Sequence, residues 1–180
     1  VGRSGESVAA IIGTIMAGHT FAPISHNQPS IRIKNIINFL NLDKVLSGLH
    51  TSEKKPHKLQ LVELAENNIS GKQNQKPKNN QLLYLLFTSG STGKPKGVLC
   101  SSQNILNTLI WSKQYLNWNK TDVMGCATQF SFDISLFDFF TMLYYNIPLA
   151  ILDNTSNADE TLEQISKFKV TSIFSVPAFF

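Results

Sequence analysis

Charge is scarce in this chain: only 16% of its 180 residues are Asp, Glu, Lys or Arg, and the balance is a modest +4. The lysines gather at Lys54 to Lys58 and Lys72 to Lys78 without alternating with aromatic rings, so they read as solvated loop charges and no nucleic-acid partner is expected. Cysteine is scarcer still. Cys100 and Cys126 have neither CxxC spacing nor paired histidines, which argues against a zinc site or a disulfide framework and favours buried thiols in a reducing cytoplasm. Long apolar runs are missing too. The longest, such as Leu82 to Phe87, fall far short of the roughly 20 residues that span a bilayer, and no basic-then-apolar leader opens the chain. A soluble, cytoplasmic protein with no membrane partner is expected. The start at Val1 and the stop at Phe180, inside an apolar, strand-like run, predict a piece of something longer.

What is present is enough apolar content, 42% with 12 Phe, to bury a core. Val8, Ile11, Ile12, Ile15 and Met16 fall on one helical face that Gly18 can end, and Phe21 to Ile24 follows as a short strand. A second helix from Pro29 or Ser30 uses Ile33, Ile36, Ile37 and Leu40, with short strands at Lys44 to Ser47 and Leu59 to Leu64. The polar stretch Glu66 to Gln81 reads as a mobile loop within one domain, because the strand Leu82 to Phe87 after it is apolar on both faces and should lie between layers. Beyond it the pattern predicts a strand at Val98 to Cys100, a helix from Ser102 as N-cap to Leu116, a strand near Val123 to Ala127 and a helix over Ile134 to Tyr145. A strand at Pro148 to Leu152, a helix over Ala158 to Phe168 with Leu162, Ile165 and Phe168 inward, and a strand at Thr171 to Val176 complete it. This order predicts an α/β fold of mainly parallel, layered sheets with helices on both faces.

The most informative stretch is Thr88-Ser89-Gly90-Ser91-Thr92-Gly93-Lys94-Pro95-Lys96-Gly97, directly after the apolar strand. Glycines at 90, 93 and 97 allow backbone angles that other residues avoid and let main-chain N–H groups approach an anion. The hydroxyls of Thr88, Ser89, Ser91 and Thr92 add donors, and Lys94 and Lys96 offset the charge of a triphosphate. The pattern is not the GxxxxGK[ST] loop of ordinary P-loop ATPases, since Pro95 follows Gly93-Lys94 and Thr88 stands where the earlier glycine belongs.

From Leu83 to Val98 this segment resembles the signature of the adenylate-forming, AMP-binding superfamily of acyl-CoA synthetases, luciferases and nonribosomal peptide synthetase adenylation domains. Ile15 to Ser25 resembles the upstream LKAGxAYVPID motif of the amino-acid-activating branch, with His19 and Ser25 in place of a small residue and an Asp. Phe132-Asp133-Ile134-Ser135 resembles its FDxS motif. The resemblance spans essentially the whole chain. It implies that residues 1–180 are part of one adenylation domain, the incomplete N-terminal large domain of that fold, with the C-terminal part and the small lid domain absent.

The reaction implied is ATP-dependent activation of an amino acid carboxylate to an aminoacyl adenylate, passed on to the phosphopantetheine thiol of a peptidyl carrier protein. The resemblance makes Thr88 and Lys96 catalytic and Thr88, Ser89, Gly90, Ser91, Thr92, Gly93, Lys94 and Lys96 phosphate-binding. It places the acidic ligand of Mg2+ beyond Phe180. Asp133 is matched to the acid that pairs with the substrate ammonium, the other expectation being that it caps the helix at Ile134. Ile134, Phe137 and approximately Phe174 match side-chain pocket positions, with plain core packing as their other use. Asp138 resembles the Asp of D-alanine carrier-protein ligase variants, or is a surface residue. No histidine receives a role; His19 is expected to pack at a helix end. An acyl-CoA synthetase-type acid ligase and a non-catalytic fragment remain the alternatives.

Overall fold

The computed structural model describes residues 2–42, 44–47, 60–63, 80–89, 95–153 and 155–179. Helix α1 (Gly5–Met16) starts where Ser4 accepts a hydrogen bond from the Ser7 N–H, and it ends at Ala17 before Gly18, whose φ of 78° suits a residue without a Cβ. Ile11 is buried, Val8, Ile12 and Ile15 pack on the core, and Met16 is exposed. The expected strand from Phe21 is reduced to one bridge: the Phe21 N–H donates to the Leu83 carbonyl and the Leu85 N–H donates to the Phe21 carbonyl.

Helix α2 (Ser30–Leu40) follows Pro29, buries Ile36 and Ile37, and stops at Asn41 in the left-handed region. Strands β1 (Lys44–Ser47) and β2 (Gln60–Glu63) pair in parallel. The expected polar loop at 66–81 lies outside the described residues save for its last two. Strand β3 (Leu82–Ser89) pairs antiparallel with β4 (Pro95–Ser101). Only Leu83 and Tyr84 of β3 are buried, and Leu82 is exposed. Adjacent strand residues face opposite ways, so both faces are covered as expected, but Leu85, Leu86 and Phe87 are only half-buried, beside an antiparallel partner β4 that is itself exposed from Lys96 to Leu99.

Helix α3 (Ser102–Leu116) is capped by Ser101, one residue earlier than expected, in a reciprocal box with Asn104. Strand β5 (Met124–Cys126) lies between β6 (Leu149–Ile151) and β7 (Ser172–Ile173), all parallel. Helix α4 (Asp133–Tyr145) links β5 to β6, and α5 (Ala158–Lys167) links β6 to β7, the βαβ order that the sequence pattern predicts. In α5 it is Thr161 that is buried, while Leu162 and Phe168 are exposed and Ile165 is half-buried. Thr161 can turn inward because its hydroxyl donates to the Asn157 carbonyl at 2.8 Å.

The core joins α1, β3, α3, β5 and α4 through Ile11, Phe21, Tyr84, Leu109, Cys126, Phe130, Leu136, Phe139 and Phe140. The rings of Tyr84 and Phe140 stack at 6.2 Å, and Phe139 meets Phe140 edge-on at 5.0 Å. This packing brings β3, which leads into the glycine-rich motif, against α4, which begins at the FDxS segment. Cys126 is fully buried as expected, Cys100 only half-buried, and both thiols are free.

Candidate functional site

The glycine-rich motif bridges two antiparallel strands. The ladder closes with Phe87 opposite Gly97, Thr88 opposite Lys96 and Ser89 opposite Pro95. Gly90, Ser91, Thr92, Gly93 and Lys94 lie outside the described residues, so the root of the motif is what the structure describes. At that root the Thr88 hydroxyl donates to the Lys96 carbonyl at 3.4 Å, and both residues are exposed. Helix α3 begins only at the far end of β4, so no helix N-terminus follows the motif to supply its dipole.

Gly97 has a different use from the one its sequence context suggested. It sits in an ordinary strand backbone, and among the described glycines only Gly18 has a positive φ. A Cβ at Gly97 would lie 2.8 Å from Leu85 Cδ1 and 3.6 Å from Phe87 Cε1, so the absence of a side chain, not a special backbone angle, is what the site requires.

Sequence reasoning overlooked Arg3 and Arg32. Arg32 on α2 donates from Nη2 to the Phe87 carbonyl at 3.3 Å, directly before Thr88. Arg3 donates from Nη1 to the Ala127 carbonyl at 2.6 Å and to Thr155 Oγ1 at 3.2 Å, directly after β5. A signal was available, because these are the only arginines in the chain among 16 basic residues.

The segment after β5 ends in Asp133. Its bends are held from inside by Ser135, fully buried, whose hydroxyl faces the Gln129 carbonyl at 2.8 Å and the Phe132 carbonyl at 2.7 Å. Asp133 is the first helical residue of α4 and Phe132 the cap, so Asp133 does not cap a helix beginning at Ile134; its Oδ1 accepts the Ile134 N–H at 3.0 Å. Nor is Asp133 buried among the aromatic residues that flank it in sequence. It is exposed, as is Phe132. Its carboxylate lies close enough to Tyr84 of β3 to add to the rise that burial and the Cys100 side chain impose on the phenol.

Asp138 is not a surface residue. It is fully buried, and neither carboxyl oxygen has a hydrogen-bond donor. Burial lifts the carboxyl to about 8, with the neighbouring Cys126 thiol opposing the rise. Cys126 is pushed up to about 12 by burial and by Asp138, and its Sγ points to the Thr128 carbonyl at 3.6 Å.

The four residues matched to the substrate site separate into two places. Phe137 and Phe174 meet with ring centroids 5.1 Å apart. They line a cavity of about 320 Å3 together with Leu116, Trp118, Met124 and Thr171 to Ile173. Asp133 and Ile134 do not line it; they stand a turn nearer the start of α4, with Ile134 half-buried.

The family model described as AMP-binding enzyme matches residues 1–180. The chain belongs to the AMP-binding enzyme family. It is 31% identical over 186 residues to bacitracin synthase 3 of Bacillus licheniformis, covering 99% of this chain and 3% of that protein. Its fold is that of the o-succinylbenzoate coenzyme A synthetase of Bacillus subtilis in complex with ATP and magnesium ion, with a TM-score of 0.85 at 18% identity over 99% of this chain and 49% of that one. The nonribosomal peptide synthetase FmoA3 also superimposes with a TM-score of 0.85, at 20% identity over 97% of this chain and 19% of the other. The chain thus spans a small part of the curated relative and about half of the coenzyme A synthetase.

Among the described residues no three His, Cys, Asp or Glu side chains come together as a metal-binding group. No helix of the described residues is long and apolar enough to cross a membrane.

Proposed function

We propose that the chain is part of one adenylation domain that activates an amino acid with ATP, within a longer enzyme of nonribosomal peptide synthesis. The observation that carries the reading is that β3, which runs to Thr88 opposite Lys96, packs through Tyr84 against Phe140 of α4, the helix whose first residue is Asp133. The match along bacitracin synthase 3 supports the amino acid branch.

Chemically, a substrate carboxylate oxygen attacks the α-phosphorus of ATP, the bond from that phosphorus to the bridging oxygen breaks, and pyrophosphate leaves with its electron pair. Two anions must approach, so the chain's task is to position and neutralise them. Thr88, Ser89, Gly90, Ser91, Thr92, Gly93, Lys94 and Lys96 hold the β- and γ-phosphates. Asp133 meets the ammonium from an exposed position that bound substrate would cover, Phe137 and Phe174 shape the apolar side-chain pocket, and Ile134 contributes from the start of the same helix. Mg2+ would add charge neutralisation from ligands other than those described. The adenylate then passes to the phosphopantetheine thiol of a carrier protein, with loss of AMP.

The second reading, an acid:coenzyme A ligase, is favoured by the equal fold likeness to the coenzyme A synthetase. The two are separated by hydroxylamine trapping with the full-length protein, MgATP and a panel of acids. An aminoacyl hydroxamate from one amino acid is expected, and Lys96→Ala should lower its rate about a hundredfold. Hydroxamates only from acids without an amine would favour the second reading.

A further inference from the structure

We infer that the two arginines are positioning residues, each fixing the root of one substrate segment: Arg32 that of the ATP-binding motif and Arg3 that of the segment carrying Asp133. The inference rests on the adenylating reading above.

The strand geometry shows what Arg32 does. Leu83 and Leu85 direct their backbone groups at Phe21, so by strand alternation the Phe87 carbonyl also points to that edge, away from β4. Phe21 covers the edge at Leu83 and Leu85, and Arg32 takes over at Phe87. The same helix sets Phe39 edge-on to the Phe87 ring at 5.8 Å. The ring contact packs only the Phe87 side chain, and it is the Arg32 donor that engages the Phe87 peptide directly before Thr88. Because Thr88 is opposite Lys96 and donates to its carbonyl, fixing the Phe87 peptide fixes these two of the proposed phosphate ligands.

Arg3 does the equivalent work next to β5. Its guanidinium and Thr155 Oγ1, the latter at 3.4 Å, both donate to the buried Ala127 carbonyl. From there Cys126 holds Thr128, and Ser135 holds Gln129 and Phe132. Arg3 is the charged member of a chain of contacts that ends at Asp133. In both places a guanidinium satisfies a carbonyl at the end of a strand, where the ladder no longer does. Among the described residues neither arginine bonds a side chain of the proposed phosphate ligands or of Asp133, and each acts through a backbone carbonyl.

The test is crossed steady-state kinetics on the full-length protein, measuring KM for ATP and for the amino acid by pyrophosphate exchange. Arg32→Ala should raise the ATP KM about tenfold and leave the amino acid KM within about twofold; Arg3→Ala should do the reverse. Arg32→Lys and Arg3→Lys, which retain a charged donor, should recover most of the loss and show the same crossed pattern if the alanine variants fail to fold. Phe39→Leu, which removes only packing at Phe87, should lower Tm without selecting the ATP KM. Equal rises in both KM values, or a fall in Tm with unchanged KM ratios, would overturn the inference alone. A wild-type protein in which no acid stimulates exchange would remove it together with the adenylating reading.

Discussion

At the scale of single residues, Asp133 and Asp138 are carboxylates on one helix with opposite environments. Asp133 is exposed at the N-terminus of α4, where the helix dipole favours its charge, and a substrate ammonium can reach it. Asp133→Ala should raise the KM for the amino acid about tenfold to a hundredfold while the KM for ATP stays nearly constant. Steady-state exchange with each substrate varied in turn checks this, and a loss spread evenly over both would return Asp133 to a structural role. Asp138, by contrast, is buried without a donor and is held near 8 against an ordinary value of 3.8. The native state then keeps a proton that the unfolded chain releases, so stability is highest below the unfolded value and is lost as pH rises toward about 8. Cys126 and Tyr84 are also raised, but both titrate at higher pH, outside this window. Thermal unfolding from pH 5 to 8 should show Tm falling with pH in the wild type and falling less in Asp138→Asn; parallel slopes would contradict the assignment.

At the scale of elements, β5 leads into the segment that carries Asp133, and its middle residue has no room for a side chain. A Cβ at Gly125 would lie 2.8 Å from Val170 Cγ1 and 2.9 Å from Ile173 Cγ1, two β-branched neighbours with little freedom to move. Gly125→Ala should therefore destabilise the protein by about 1–3 kcal/mol in denaturant unfolding. The elements themselves were largely legible. Apolar spacing located α1, α2 and α4, and capping chemistry located α3 to within one residue. Orientation was less legible, for physical reasons. The antiparallel return of β4 cannot be distinguished from a parallel strand by composition, so the burial expected for β3 was too high. In α5 a threonine that bonds its own helix replaced Leu162 on the inner face, which periodicity alone cannot show. Within the candidate site, the proposed phosphate motif stands out in the sequence because glycine, hydroxyl and lysine recur so densely directly after an apolar strand. Arg3 and Arg32 were not, because their partners are backbone carbonyls 124 and 55 residues away.

At the scale of the whole molecule, the described residues join the two proposed substrate segments through one core, yet leave Trp111, Tyr115 and Leu162 more than half exposed. A chain that covers 49% of the coenzyme A synthetase it superimposes on carries only part of that fold. The 180 residues expressed alone should therefore bind ATP weakly at most and form no adenylate; adenylate formation by them alone would refute this.

The central claim is that the β3–β4 motif and the start of α4 serve one reaction between ATP and an amino acid. Its most direct test is exchange of radiolabelled pyrophosphate into ATP by the full-length protein across a panel of amino acids and of acids lacking an amine. The account predicts stimulation by one amino acid, or a small related set, and its loss in Asp133→Ala. Stimulation only by acids without an amine, undiminished in Asp133→Ala, would contradict it.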